Sequence, residues 1–285
     1  MRKMPIWNQI ATQAVMVIIG FFVILPIWGI ARLAFDGSLR GRPTDFLIFP
    51  KQFSGNAFLQ VLDKPYQSVS FTILLKNSLL VSFGAAILAI LLGASLAYAF
   101  ARFRFRGRQP GLFVLLLAAF LPLVAYMTPL YILLSLLKLR TTLLGLTIVY
   151  TAFAMPFCIW NMRSAFQAIP KEVEESAYLD GAGAFTTFAR ITFPLALPSI
   201  SVAGLIAFLM AYSEFTIGWL FVEKASTVTL SMSIYAMVQN EYLGGAQPWS
   251  YLGSLALIMS IPVVIVFLIL QRTLFESMMF GSTKE

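Results

Sequence analysis

Residues 174–194 read EESAYLDGAGAFTTFARITFP, and they lie between two runs apolar enough to sit in a lipid bilayer. Upstream, 141–162 holds no Asp, Glu, Lys or Arg; downstream, the run from Pro194 to about Val222 carries only Glu214. A polar segment opened by acids and held between two membrane-length runs must stay in water on one side. Its local signals predict a helix, because Pro170 suits a first turn and Glu172, Glu174 and Glu175 complement the positive end of a helix dipole. That helix should run to about Asp180, where Gly181 and Gly183 let the chain turn left-handed. Ser176, Ala177 and Ala182 are small enough for another backbone to approach closely. A second short helix, TTFARI, should follow and end at Pro194. The expected shape is a helix–turn–helix knob parallel to the membrane. An interfacial hairpin serving lipid headgroups is the alternative, but such helices are usually rich in Lys and Arg, and this one opens with acids.

Composition supports a membrane protein. Of 285 residues, 59% are hydrophobic and 11% charged, against about 25% charged in globular domains. The net charge of +8 resides in arginines that flank apolar runs, which fits membrane anchoring and argues against nucleic acid. A single cysteine, Cys158, rules out an intrachain disulfide and reads as a small buried side chain. No histidine is present, which removes the commonest general acid–base and the usual metal ligand. No G-x-x-x-x-G-K-[ST] occurs, so no ATP site is expected in this chain, and DGAG (180–183) reads as a turn.

Six windows have spanning length: 4–31, 77–101, 109–137, 141–162, about 194–222, and one within 242–271. The fold expected is therefore all-α with six transmembrane helices. The first window is too long for a signal-peptide core and reads as an uncleaved anchor. Arg102, Arg104, Arg106 and Arg108 follow the second window, while the next connection has only Lys138 and Arg140. The Arg-rich side is cytoplasmic by that bias, which places both termini and the 174–194 knob inside, and 34–76 and about 223–250 outside. Ser54 is placed to cap a short amphipathic helix in 34–76, and Asn77 or Ser78 to cap the second span. Pro122, Pro129, Pro156 and Pro262 interrupt spans and suggest kinks. The regions expected are thus a first span with its lead (1–33), an external segment (34–76), a membrane core (77–275) with its inner loop (166–194), and a cytoplasmic tail (276–285).

Glu175-Ser176-Ala177, three residues, Gly181, nine residues, then Ile191-Thr192-Phe193-Pro194 resembles the EAA loop of permease subunits in binding-protein-dependent ABC importers. Ser176 and Phe193 depart mildly from that pattern. NSLLVS (77–82), AYAFARFRFRGR (97–108), MTPLY (127–131) and SEF (213–215) resemble the carbohydrate importers, most of all the shorter permease of maltose- and trehalose-type systems. The resemblance implies the type I ABC importer permease fold, with the first span wrapping a partner. It also implies a bacterial or archaeal inner-membrane location and no cofactor in this chain, with ATP and Mg held by two cytoplasmic ATPase subunits. A longer permease partner and an extracytoplasmic sugar-binding protein complete the assembly it implies.

By the same resemblance Glu174, Glu175, Ser176, Ala177, Asp180, Gly181, Ile191 and Pro194 contact the ATPase, with Glu175 pairing with a basic residue of it. Glu241, Tyr242, Gly244, Gly245 and Gln247, in the long outer connection, would meet the binding protein. Tyr126, Tyr131, Asn161 and Tyr212 are candidates to line the sugar path, although packing is the commoner role for such aromatics, Tyr150 and Trp160 included. Glu214, the one acid deep in an apolar run, reads equally as a functional group, either a proton relay or a polar contact on the path, and as a packing contact at a subunit interface. Three alternatives to a sugar importer follow: a proton-coupled transporter, an importer of a non-sugar solute such as glycerol phosphate, and an intramembrane enzyme. The lack of repeats disfavours the first, and the lack of histidine and of paired intramembrane carboxylates disfavours the last.

Overall fold

A computed structural model describes residues 5–39, 43, 47–63, 65–242 and 249–282, and the regular elements among them are helical. In chain order these are α1 (Ile6–Ala34), α2 (Asn56–Asp63), α3 (Phe71–Arg102), α4 (Arg108–Phe120), α5 (Leu123–Leu136) and α6 (Leu143–Ala168). There follow α7 (Lys171–Leu179), α8 (Ala184–Thr187), a π turn (Phe188–Thr192), α9 (Phe193–Leu195), α10 (Leu197–Ser213), α11 (Thr216–Phe221), α12 (Leu230–Tyr242) and α13 (Trp249–Ser282).

Four helices have unbroken spanning length: α1, α3, α6 and, through Trp249–Thr273, α13. The other two expected spans are bent. The 109–137 run forms α4 and α5, which meet at 101° across Leu121 and Pro122. Pro122 has no N–H to continue the helix and pushes Leu121 to extended backbone (φ −67°, ψ 135°). Pro129, Pro156 and Pro262 lie inside continuous helices, so Pro122 alone of the four interrupts one. Ala184–Leu195 turns by 78° into α10. At 17 residues α10 is at the short end of spanning length, and α11 follows it beyond a break at Glu214 and Phe215.

Two compact units are distinguished, Met1–Phe71 with Ser233–Ile261, and Thr72–Met232 with Pro262–Glu285. In the first, α1 buries only Arg32 and Ala34, and its apolar side chains face outward along its whole length. The segment after it is a folded clasp. Arg32 pairs with Asp36 at 3.0 Å, and Asp36 also accepts the amides of Ser38 (3.1 Å) and Lys51 (3.2 Å). Burial alone would raise the Asp36 carboxyl, but hydrogen bonds from Ser38, Lys51 and Gln52 outweigh it and hold the group below its ordinary range. Phe35 stacks on Phe53 at 5.1 Å, and Ser54 accepts the Asn56 amide at the start of α2, as its position in the sequence suggests. Gly253 of α13 seats against α1, where an added Cβ would fall 2.8 Å from the Ala34 nitrogen.

The second unit is built on α3, α6 and α10. Ala85, Ala89, Gly93 and Ala97 recur every fourth residue on α3, as do Ala203, Ala207 and Ala211 on α10. Such small-residue stripes let helix backbones approach, the main source of helix association where lipid is as apolar as leucine. Gly84 meets Thr147, Gly93 meets Met162 and Gly204 meets Ile90, each too closely for a Cβ without movement. Cys158 is buried, its Sγ 3.6 Å from the Ala203 carbonyl, in keeping with a packing role. Asn77 and Ser78 do not cap α3, which begins before them at Phe71. Instead Asn77 donates to the carbonyls of Ser226 and Val228 (2.8 and 2.9 Å), and Ser78 accepts the Leu230 amide (2.8 Å). From 223 to 242 the outer connection expected at 223–250 is therefore not an open loop, because it holds a pinned segment and then α12.

Candidate functional site

After α6, Ile169 and Pro170 are extended, as expected for a residue before proline and the proline itself. Pro170 thus sits just outside the first turn of α7 rather than within it. The end of α7 is a Schellman cap: Gly181 is left-handed (φ 84°), its amide reaches the Tyr178 carbonyl (3.1 Å), and the Ala182 amide reaches Ala177 (2.9 Å). Gly183 is extended (φ −78°, ψ 165°), so only one of the two glycines expected to turn left-handed does so.

The second helix differs from its expected form. It runs as α8, the π turn and α9, and Pro194 lies within it rather than at its end. Pro194 lacks the N–H for the Arg190 carbonyl, and its ring would collide there in a regular helix. The wider π turn immediately upstream takes up that mismatch.

The faces of α7 divide the acids. Glu175 is exposed, with Glu172, Ser176, Leu179 and Asp180, whereas Glu174 and Ala177 are buried. Of the residues expected to contact the ATPase, Glu174 and Ala177 are therefore turned away from the exposed face and spent on this chain's own packing. Glu174 takes the Arg102 guanidinium at 2.7 Å, with hydroxyls of Tyr98 (3.3 Å) and Thr192 (3.4 Å) also donating to it. Arg102 reaches the Ile169 carbonyl as well (2.8 Å). Below this pair Tyr98, Phe166, Phe188 and Phe193 pack ring to ring. Leu179 at the end of α7 and Phe185 in α8 stand 89% and 80% exposed, two apolar side chains that the sequence reading missed. Helical spacing gives the signal, since Glu175 and Leu179 are four apart on one face while Glu174 and Ala177 are three apart on the other. Ile191 is half-buried and Pro194 exposed.

The five path candidates serve separate contacts. The Tyr126 hydroxyl staples the α4–α5 break by donating to the Ala118 carbonyl (2.7 Å). Tyr131 lies under the Arg140 guanidinium (4.9 Å), and Arg140 is in turn paired two-pronged with Glu223. Tyr212 is buried and stacked on Phe208 at 5.5 Å. Asn161 is half-buried, and its Oδ1 has no hydrogen-bond partner; neither has the buried Nε1 of neighbouring Trp160. Glu214 sits at the helix break, where its carboxylate accepts the amides of Ile217 (3.0 Å) and Gly218 (3.3 Å) and so caps α11. Its own carbonyl accepts the Ser231 hydroxyl at 2.7 Å. Of the outer-connection candidates, Glu241 and Tyr242 end α12, and Gly244, Gly245 and Gln247 lie outside the described residues.

The sequence pattern described as "Binding-protein-dependent transport system inner membrane component" matches residues 89–279. The maltodextrin transport system permease protein MdxG of Bacillus subtilis is 24% identical, over 97% of this chain and 96% of its own. The trehalose/maltose transport system permease protein MalG of Thermococcus litoralis is 29% identical over 80% of each. Among solved structures, a bacterial ABC transporter involved in the import of the acidic polysaccharide alginate superposes with a TM-score of 0.73 at 20% identity. That superposition covers 95% of this chain and 99% of the other, and it shows the shared fold.

Proposed function

Since the chain belongs to the family of binding-protein-dependent transport system inner membrane components, we propose that it forms half of the membrane pathway of an ATP-driven importer for a neutral disaccharide or oligosaccharide. Maltose or trehalose is the favoured substrate. The observation that carries this reading is the knob at 172–187, which presents Glu175, Leu179 and Phe185 to water from an anchored base. An exposed acid and two exposed apolar side chains on one knob suit a protein cleft with a basic residue and an apolar wall. A separate cytoplasmic ATPase pair, holding ATP and Mg, fills that role here, and a second, longer permease covers the exposed side of α1. An extracytoplasmic binding protein delivers the sugar, and residues 241–247 are its contact on this subunit. The sugar preference rests on relatives named for maltodextrin and trehalose/maltose. Asn161 and Trp160, neighbours on α6 with unpartnered polar atoms, are the residues we assign to hydroxyl contacts.

The test is ATPase stimulation in the purified complex by binding protein loaded in turn with maltose, trehalose, maltodextrin, glycerol phosphate or an acidic oligosaccharide. Neutral glucosides should stimulate hydrolysis and the anionic ligands should not. Stimulation by glycerol phosphate alone would overturn the sugar assignment.

A further inference from the structure

We propose that Glu174 and Arg102 are a positioning pair that joins the knob to α3, so that a pull on α7 is delivered to that span without slack. The proposal rests on the reading of 172–187 as the ATPase-facing knob. One guanidinium holds two points at once: its Nε binds Glu174 on α7, and its Nη2 binds the carbonyl of Ile169, the joint between α6 and α7. The Glu174 carboxylate in turn collects Tyr98 from α3 and Thr192 from the π turn. Four segments therefore meet at one ion pair whose side chains are both 8% exposed.

A buried ion pair is a poor device for stability alone, because desolvation consumes most of the attraction; this one is held to one geometry by its further links to Ile169, Tyr98 and Thr192. Lysine in place of Arg102 has no fork with which to hold Glu174 and Ile169 together. Near the other end of α3, about 37 Å away at 1.5 Å per residue, Asn77 and Ser78 are pinned to 226–230. Both ends of this helix thus carry buried polar links, which makes α3 the lever from the inner knob to the outer segment before α12.

The experiment uses the intact complex with its ATPase and binding protein. Glu174→Gln should leave ATPase co-purification and hydrolysis in place, while sugar taken up per ATP hydrolysed falls on the order of tenfold. Because this variant strands the Arg102 charge, Glu174→Gln with Arg102→Gln is made alongside. The double variant, with no stranded charge, should accumulate at the unaltered level and still show the lowered uptake per ATP. Normal uptake per ATP in either variant overturns the proposal, as does a double variant that fails to accumulate, which would make the pair a folding element only. Loss of ATPase co-purification by a well-accumulated Glu174→Gln also overturns it, by placing Glu174 in the docking face. Absence of ATP-driven uptake in the unaltered complex is a different failure, that of the importer reading itself.

Discussion

Replacing Glu175 with lysine is expected to abolish sugar uptake and release the ATPase while leaving the membrane fold intact. Glu175 is exposed on the outer face of α7, and the base of the knob is held by other groups: the Schellman cap, the aromatic cluster and the Glu174–Arg102 pair. A surface substitution away from such features changes stability by about 0.5 kcal/mol or less. At a docked interface the same change inverts one partner of a charge pair, where truncation alone costs about 2–5 kcal/mol. At 1.4 kcal/mol per tenfold, that corresponds to roughly 30- to several-thousand-fold weaker docking. The checks are membrane accumulation, ATPase co-purification and uptake, measured on one preparation. Co-purification and uptake at unaltered levels would remove Glu175 from the docking surface. Glutamine at the same position should fall between the two, since it loses the charge without reversing it.

The second large effect is expected at Glu214, and two substitutions separate its possible roles. The carboxylate satisfies the Ile217 and Gly218 amides at a helix break inside an apolar run. Alanine removes both acceptors, and unsatisfied amides cost more in lipid than in water. Removing a helix cap costs about 0.5–2 kcal/mol even in soluble proteins. Glutamine keeps one acceptor oxygen and nearly the same shape. Glu214→Ala should therefore lower the amount of folded complex and its uptake severely, and Glu214→Gln only modestly, with uptake insensitive to uncouplers in both. A proton carrier would give another pattern: glutamine as damaging as alanine, and uptake by the unaltered protein stopped by uncouplers. The capping geometry favours the first pattern.

The knob was largely legible in the sequence because its signals are local. Three acids at a helix start, a glycine just past its end and a motif spaced over twenty residues each act within a turn or two, and Gly181 took its expected conformation. Its inner face was not legible. Arg102, the partner of Glu174, counted in the sequence as one of four arginines setting orientation, and nothing local marks it as the one that turns inward. Asn77 and Ser78 show the same limit, since short polar residues at an apolar boundary read as caps until distant carbonyls and amides claim them. Prolines were ambiguous for another reason. Pro129, Pro156 and Pro262 left their helices continuous while Pro122 did not, and residue type alone does not separate them. The small-residue stripe on α3 was readable at a spacing of four, and composition alone hid it.

Sugar accumulation in sealed proteoliposomes tests the central claim most directly. The vesicles carry this chain with its partner permease and ATPase, with sugar-loaded binding protein on one side and ATP on the other. Uptake should require ATP on the side of the 172–187 knob and binding protein on the opposite side, and it should persist when an uncoupler collapses the proton gradient. Uptake that proceeds without ATP and stops with the uncoupler would contradict the account.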